Sequence, residues 1–217
     1  MLVWFIDSNV LAHWIMGEGS VLQLLVDKFN LTQEFATIYS DRYRDSIDFV
    51  NKVLHDDNRK NQNEFYISSL GINELFSAVR DEFRSMLLFK NGMPISRWRD
   101  SRNIPEIKEG DYREIYEKIM LTFDQLFAEN RVFPIAEKSL EDDPNYLDIF
   151  SSLLFLIKDA KTQDATLLTT AILNKANYFV SRDEPLIKAA RSVIMDKYGL
   201  KLIKPATGFQ VLKRLTK

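Results

Sequence analysis

The chain has 217 residues, of which 46% are hydrophobic and 28% charged, a composition that is typical of folded globular proteins and excludes disordered or collagen-like ones. Its 29 Lys and Arg residues against 31 Asp and Glu residues give a formal net charge of −2, which by itself argues against a strongly basic nucleic-acid binder. Because the chain has no Cys and only two His residues, disulfides, thiolate sites and multi-histidine metal centres are excluded, and a metal ion would need carboxylate ligands.

Short apolar runs alternate with longer helical patterns, which predicts an α/β fold with a mostly parallel, five-stranded sheet flanked by helices. The first run, residues 2–6, is wholly apolar, as expected for a strand buried on both faces. In chain order, the predicted elements begin with a strand at 2–6, helices at 10–16, 20–29 and 32–56, a polar loop at 56–63 and a strand at 65–67. A helix that includes 70–79 follows, with Ser68 or Ser69 as its N-cap, then an irregular segment at 91–110, a helix at 111–129 and a strand at 132–135, in which Pro134 marks an end or edge position. The remaining elements are helices at 145–158 and 162–174, a strand at 178–180, a helix at 185–198, a strand at 200–203 and a last helix after Pro205.

Four acidic residues lie where the strands of such a sheet bring groups together, at the carboxyl ends of the strands. Asp7 directly follows the first strand and Asp183 follows the fourth. Glu74 and Asp164 stand in helices whose neighbouring residues are apolar. Carboxylates beside apolar faces are costly unless they are neutralised, and four that converge would repel one another, so hard divalent cations are expected to bind them.

Each of these acids also has a purely structural interpretation. Asp7 is suited to cap the first helix, and Glu74 to be a half-exposed helix residue. Asp164 is suited to the first turn of its helix, where the helix dipole favours an acid, and Asp183 to a turn before Pro185. The set of four is therefore a stronger indication than any one member.

The four acids stand in segments whose sequences are Phe-Ile-Asp7-Ser-Asn9, Ser-Ser-Leu-Gly-Ile-Asn-Glu74-Leu, Gln-Asp164-Ala-Thr-Leu-Leu-Thr-Thr-Ala and Tyr-Phe-Val-Ser181-Arg-Asp183. Taken in order, and together with Lys-Leu-Ile-Lys-Pro205 near the end, these segments resemble PIN-domain nucleases. The resemblance covers about residues 1–20, 63–80 and 160–208. The chain is then expected to be a single PIN-like domain over residues 1–217, with helical elaborations at about 20–62 and 81–158.

The resemblance implies an endoribonuclease that depends on Mg²⁺ or Mn²⁺ and hydrolyses single-stranded or loop RNA. Carried over to this chain, the metal-binding and catalytic set is Asp7, Glu74, Asp164 and Asp183, supported by Asn9 and Ser181. Asp159 is the rival for the third acid, but the apolar spacing after Asp164 fits the motif better. No histidine base or serine nucleophile is needed for metal-assisted hydrolysis of a phosphodiester.

Two basic regions are candidates for contacting RNA. The segment from Arg80 to Lys108 holds seven basic and four acidic residues. Within it Arg97, Trp98 and Arg99 are suited to contact phosphates and stack on a base, although a solvated surface loop is the commoner explanation of such a segment. Residues 186–217 hold eight basic residues and one acid, a net charge of +7, whereas the first 185 residues hold 21 basic and 30 acidic ones. The nearly neutral chain is therefore the average of two unlike parts.

Other functions and locations remain open at this point. A PIN-fold scaffold without catalysis, which binds RNA or protein, is the main alternative, but it has no need of four uncompensated acids. Nucleotide binding is not supported, because the chain contains neither a G-x-G-x-x-G motif nor a P-loop. The absence of a long apolar run and of a basic leader predicts a cytoplasmic protein that does not enter membranes. An antitoxin protein and a second copy of the chain are further expected partners.

Overall fold

The computed structural model describes residues 1–17, 19–55, 63–94, 106, 108–128 and 131–215. Over these residues the chain forms an α/β fold around a five-stranded sheet in which every described pair of neighbouring strands is parallel. The strand order is β3-β2-β1-β4-β5, and the strands are β1 (Leu2–Ile6), β2 (Asn63–Ser68), β3 (Phe133–Ile135), β4 (Tyr178–Val180) and β5 (Lys201–Ile203). This architecture agrees with the predicted fold class.

Nine helices connect and cover the strands in the described part of the chain. They are α1 (Ser8–Gly17), α2 (Gly19–Phe29), α3 (Gln33–Leu54), α4 (Ser69–Lys90), α5 (Glu109–Ala128), α6 (Tyr146–Leu156), α7 (Thr162–Leu173), α8 (Glu184–Tyr198) and α9 (Pro205–Leu215). None of the helices that the structure describes is both long and apolar enough to cross a lipid bilayer.

The two faces of the sheet bury two separate hydrophobic cores. Along β1, Trp4 and Ile6 face the first core, and Phe5 faces the second, as the alternation of side chains in a strand requires. The first core takes its helical side chains from α1–α5 and α9, and the second from α6–α8. Because β1 is buried by helices on both sides, its sequence is continuously apolar, and this was the basis of the predicted parallel sheet.

Most predicted elements are present, and the differences concern their ends. Ser68 is the N-cap of α4, and its hydroxyl accepts a hydrogen bond from the Gly71 amide at 3.0 Å. The prediction of a loop through residue 63 was wrong at its last residue. Asn63 is only 1% exposed and begins β2, because it pairs with Leu2 and its side-chain oxygen accepts a hydrogen bond from the Trp4 indole at 3.2 Å. Residues 56–62 of that loop lie outside the described residues.

The close approach of α9 to α3 depends on a glycine. A Cβ atom added to Gly208 would lie 2.8 Å from Cε2 of the fully buried Phe49 ring, whereas one added to Gly110 in α5 would meet nothing within 4 Å.

We predict that Gly208→Ala lowers the free energy of unfolding by about 1 kcal/mol, because overpacking costs about 1–3 kcal/mol and helix propensity returns at most about 1 kcal/mol.

The matched control is Gly110→Ala, which gains helix propensity without a clash and should leave the stability unchanged or slightly raised. Urea unfolding of both variants measures the difference. A Gly208→Ala variant as stable as Gly110→Ala would contradict the packing described between α9 and α3.

Candidate functional site

Asp7 lies at the point where the order of the strands reverses. The chain runs from β1 to β2 and β3 on one side and then returns to β4 and β5 on the other, so the carboxyl ends of β1 and β4 border a crevice. The backbone N–H of Asp7 donates to the carbonyl oxygen of Val180 at 2.9 Å, which extends the β1–β4 pairing by one residue. The Asp7 residue is 8% exposed, so its carboxyl group is buried at this switch point.

Asn9 and Ser181 hold one oxygen of the Asp7 carboxylate. The Ser181 hydroxyl donates to Asp7 Oδ2 at 2.5 Å, and Asn9 Nδ2 donates to the same oxygen at 2.8 Å. Ser181 Oγ in turn accepts from the backbone N–H of Asp183 at 2.9 Å, and Asn9 Oδ1 accepts from that of Arg182 at 3.1 Å. These bonds tie the ends of β1 and β4 together and fix the orientation of Asp7.

Glu74 approaches Asp7 through a shared serine. Ser8 Oγ lies 3.2 Å from Asp7 Oδ1 and 3.2 Å from Glu74 Oε2, and a hydroxyl has one proton to donate. Ser8 therefore satisfies only one of the two carboxylates at a time. Glu74 is half-buried on the first turns of α4, whose N-cap at the end of β2 places it at the same edge of the sheet.

Asp164 and Asp183 each use one oxygen at the start of a helix. Asp164 Oδ2 accepts the backbone N–H of Lys161 at 3.0 Å, as in a capping box, and Asp183 Oδ1 accepts that of Leu186 at 2.9 Å as the N-cap of α8. The interpretation of Asp164 as a first-turn acid is thus confirmed, whereas Asp183 is a helix N-cap and not the predicted turn residue. Each acid keeps a second oxygen. Capping by the side chain of Asp7 is not observed, because its oxygens bond to Ser8, Asn9 and Ser181.

The charges of these acids act on one another. Burial raises the pKa of Asp7, the hydrogen bonds from Ser181 and Ser8 oppose this, and the charges of Asp164 and Asp183 add to it. Burial likewise raises the pKa of Glu74, helped by the charges of Asp7 and Asp164. Asp7 is therefore within electrostatic reach of each of the other three predicted acids. None of the ion pairs between described residues involves any of the four.

The donor set suits a hard divalent cation, since it consists of carboxylate and hydroxyl oxygens around uncompensated negative charge. Asp7 Oδ1 and Glu74 Oε2, bridged by the Ser8 hydroxyl, are the pair that are closest to sharing one ion. In the described part of the chain, no group of three or more carboxylate or imidazole side chains is arranged closely enough to hold a metal ion. Recruiting Asp164 and Asp183 to an ion at Asp7 therefore requires their side chains to move.

A second polar cluster lies behind this site, between α1, α3 and α4. The carboxylate of Glu82 accepts hydrogen bonds from the hydroxyl groups of Tyr39 and Tyr43 at 3.0–3.1 Å, and His13 Nε2 lies 3.6 Å from it. The His13 ring stacks on Tyr43 with centroids 4.0 Å apart. Burial lowers the pKa of His13, and the hydrogen bond and charge of Glu82 partly oppose this.

Sequence reasoning missed three residues near the site. Ser8 bridges two acids, and the charge of Glu137 raises the pKa of Glu74. The signal for Glu137 was its position two residues after the third strand, at the same edge of the sheet. Arg182 stands between two predicted site residues and donates its backbone N–H to Asn9. The predicted RNA contacts Arg97, Trp98 and Arg99 lie outside the described residues.

The chain was compared with protein-family models, curated proteins and solved structures. No protein-family model, no curated protein and no solved structure matches the chain. The function is therefore inferred from the residues of the site.

The buried charge of Asp7 has a consequence for stability. Because the pKa of Asp7 is higher in the folded than in the unfolded chain, its ionisation destabilises the fold as the pH rises above the ordinary value of 3.8, and the loss is complete above the raised pKa. We predict that Asp7→Asn raises the Tm in metal-free solution at pH 8. The rise should be about 2–4 °C for each kcal/mol of unfolding free energy that ionisation of Asp7 costs the wild type. An asparagine amide donates to Ser8 Oγ, which leaves the Ser8 proton to Glu74.

Thermal unfolding in EDTA at pH 8 and at pH 4 measures the difference in Tm between Asp7→Asn and the wild type. This difference should be smaller at pH 4. The matched control is Asp124→Asn, a change at an exposed position of α5 that should alter the stability by less than about 0.5 kcal/mol. An Asp7→Asn variant that is less stable than this control at pH 8 would show that the Asp7 charge is compensated.

Proposed function

We propose that this protein is a metal-dependent endoribonuclease that hydrolyses RNA phosphodiester bonds, with Mg²⁺ or Mn²⁺ bound by Asp7, Glu74, Asp164 and Asp183. The observation that supports this most directly is the state of Asp7. It is buried at the switch point of a parallel sheet, is repelled by neighbouring acids, and forms no ion pair with a described residue. Such a charge costs free energy in the protein alone, and a bound cation would offset that cost.

Under this proposal, one oxygen of each aspartate accepts hydrogen bonds and the other binds the cation. Oδ2 of Asp7, Oδ2 of Asp164 and Oδ1 of Asp183 accept hydrogen bonds that fix each side chain. Oδ1 of Asp7 becomes available once the Ser8 proton turns to Glu74, and the other oxygens of Asp164 and Asp183 become ligands once those side chains move toward Asp7. Asn9 and Ser181 act by orienting Asp7, as supporting hydrogen bonds do at metal sites.

The chemistry that the cation supplies when bound is activation of water and neutralisation of charge on the scissile phosphate. The protein's own residues orient the ligands and keep Asp7 out of bulk solvent. Neither a histidine base nor a nucleophilic side chain is required, in agreement with the polar groups found at the site: carboxylates, hydroxyls and one amide.

The alternative is a PIN-like scaffold that binds RNA or protein without cleaving it. One observation favours it: Asp164 and Asp183 already have helix-capping roles that account for their presence without a metal ion. It gives no account of Asp7, whose side chain caps no helix and whose burial raises its pKa.

Cleavage of labelled RNA tests the proposed function. We expect the wild-type chain to cut single-stranded or looped RNA in the presence of Mn²⁺ or Mg²⁺, and Asp7→Asn and Asp164→Asn to lose at least about 100-fold in rate. Changes in the residues that merely support metal ligands cost about 10–100-fold, which is the range expected for Ser181→Ala. Asp124→Asn is the matched control and should cut like the wild type. Equal cutting by all variants would show that a contaminating nuclease is responsible.

Binding of the cation alone gives a test that needs no substrate. Millimolar Mn²⁺ should raise the Tm of the wild type and of Asp124→Asn, since a ligand at 100 times its Kd stabilises by about 2.7 kcal/mol. The shift should disappear in Asp7→Asn, which has lost the buried charge. If Mn²⁺ leaves the wild-type Tm unchanged, the scaffold is the better account of the site.

A further inference from the structure

Two arginines lie against one tyrosine at the rim of the acidic site. The guanidinium carbon of Arg182 is 5.0 Å from the centroid of the Tyr43 ring, and that of Arg42 is 5.4 Å from it. The ring itself is fixed, because Tyr43 is 3% exposed and its hydroxyl donates to Glu82. Two cations are therefore held beside each other on one rigid ring, where the charge of each destabilises the charged form of the other.

Arg182 connects this ring with Asp7. Its backbone N–H donates to Asn9 Oδ1 at 3.1 Å, and Asn9 Nδ2 donates to Asp7 Oδ2 at 2.8 Å, so two hydrogen bonds separate its main chain from the Asp7 carboxylate. Its side chain extends from there to α3, where it donates to the Ser46 hydroxyl at 3.5 Å and to the Arg42 carbonyl oxygen at 3.3 Å. The guanidinium group therefore lies at the α3 side of the acidic site.

The hydrogen-bond partners of the Arg182 side chain are neutral, although the charges of Asp45 and Glu82 act on it from a distance. The side chain is half-buried, both of its hydrogen bonds described here go to neutral oxygens, and no ion pair between described residues includes it. The nearby carboxylate of Glu82 accepts its hydrogen bonds from Tyr39 and Tyr43 instead. A guanidinium group has five N–H donors, so Arg182 retains donors for an anion.

We propose that Arg182, together with Arg42, binds a phosphate of the RNA strand adjacent to the one held at the acidic site. This inference rests on the proposed function, because it takes RNA as the substrate. Four carboxylates repel a polyanion, so binding requires cations close beside them, and the guanidinium fork matches two phosphate oxygens. Tyr43 acts as a positioning residue, since its ring holds both arginines and its hydroxyl is anchored on Glu82.

The test is binding of a labelled single-stranded RNA by the full chain in EDTA, where no cleavage occurs, over a range of salt concentrations. Arg182→Met should weaken binding about tenfold, as expected when a hydrogen bond to a charged group is lost. It should also lower the slope of log affinity against log salt by about 0.7, the value for one contact with a single strand. Arg182→Lys keeps the charge and should restore most of the slope but only part of the affinity.

Arg44→Met is the matched control, because Arg44 is an exposed arginine of α3 that pairs with Asp41. It should leave both affinity and slope unchanged. Arg42 is also exposed, so Arg42→Met is not expected to disturb folding and should lower the slope by about 0.7 as well.

Wild-type affinity and slope in Arg182→Met or in Arg42→Met would overturn the proposal, even if the Tm of Arg182→Met falls, because Arg182 would then be only a strut between α3 and the sheet. Cleavage assays separate the two proposals. A wild type that cuts RNA while the arginine variants bind normally disproves the phosphate site alone. A wild type that cuts no RNA, with binding lost in the arginine variants, disproves the nuclease and supports the phosphate site.

Discussion

The hydrogen bond from Ser181 to Asp7 joins the two halves of the molecule. β1 begins the half of the sheet that continues to β2 and β3, and β4 begins the half that continues to β5. At their carboxyl ends, the Ser181 hydroxyl donates to the Asp7 carboxylate, and the Asp7 backbone N–H donates to the Val180 carbonyl oxygen. The order of the strands thus puts a buried carboxyl group where both halves contribute polar side chains, and these are arranged around it.

The contact between α1 and α4 is polar at both ends and apolar between them. At one end Ser8 of α1 bridges Asp7 to Glu74 of α4. Farther along, five residues later on α1 and eight residues later on α4, His13 faces Glu82. Leu11, Leu75 and Val79, which lie between these positions along the two helices, belong to the hydrophobic core. Both polar ends contain a carboxylate, but only that of Glu82 has its pKa lowered. Burial raises the Glu82 pKa, and the hydrogen bond and charge of His13, followed by the hydrogen bonds from Tyr39 and Tyr43, outweigh burial. At the other end the pKa of Asp7 stays raised despite hydrogen bonds from Ser181 and Ser8, and Glu74 shares the Ser8 proton with Asp7.

The sequence predicted the fold class and the position of Asp7 because both follow from local patterns. An all-apolar strand of five residues requires burial on both faces, and the acid that ends it must lie at the edge of a parallel sheet. Ser8, Glu137 and Arg182 were missed because their roles depend on which strands are neighbours. Local sequence patterns do not predict the strand order β3-β2-β1-β4-β5. The structural and functional interpretations of Asp164 and Asp183 also could not be separated by sequence, since one oxygen of each caps a helix and the other is left over.

The uneven distribution of charge along the sequence becomes informative once the neighbours of Asp183 are known. Glu184, the next residue, forms ion pairs with Lys188 at 3.1 Å and with Lys204 at 3.2 Å, and Lys204 directly follows β5 at the carboxyl edge of the sheet. Part of the basic C-terminal stretch therefore stands beside the acidic site on the β5 side, while Arg182 stands on the α3 side. Under the proposed function, a site that attracts a polyanion to a group of carboxylates needs its cations at the rim, because a cation in the centre would neutralise the oxygens that a metal ion requires. On that proposal the net charge of −2 does not argue against RNA binding, because Lys204 and Arg182 stand on two sides of the same acidic group.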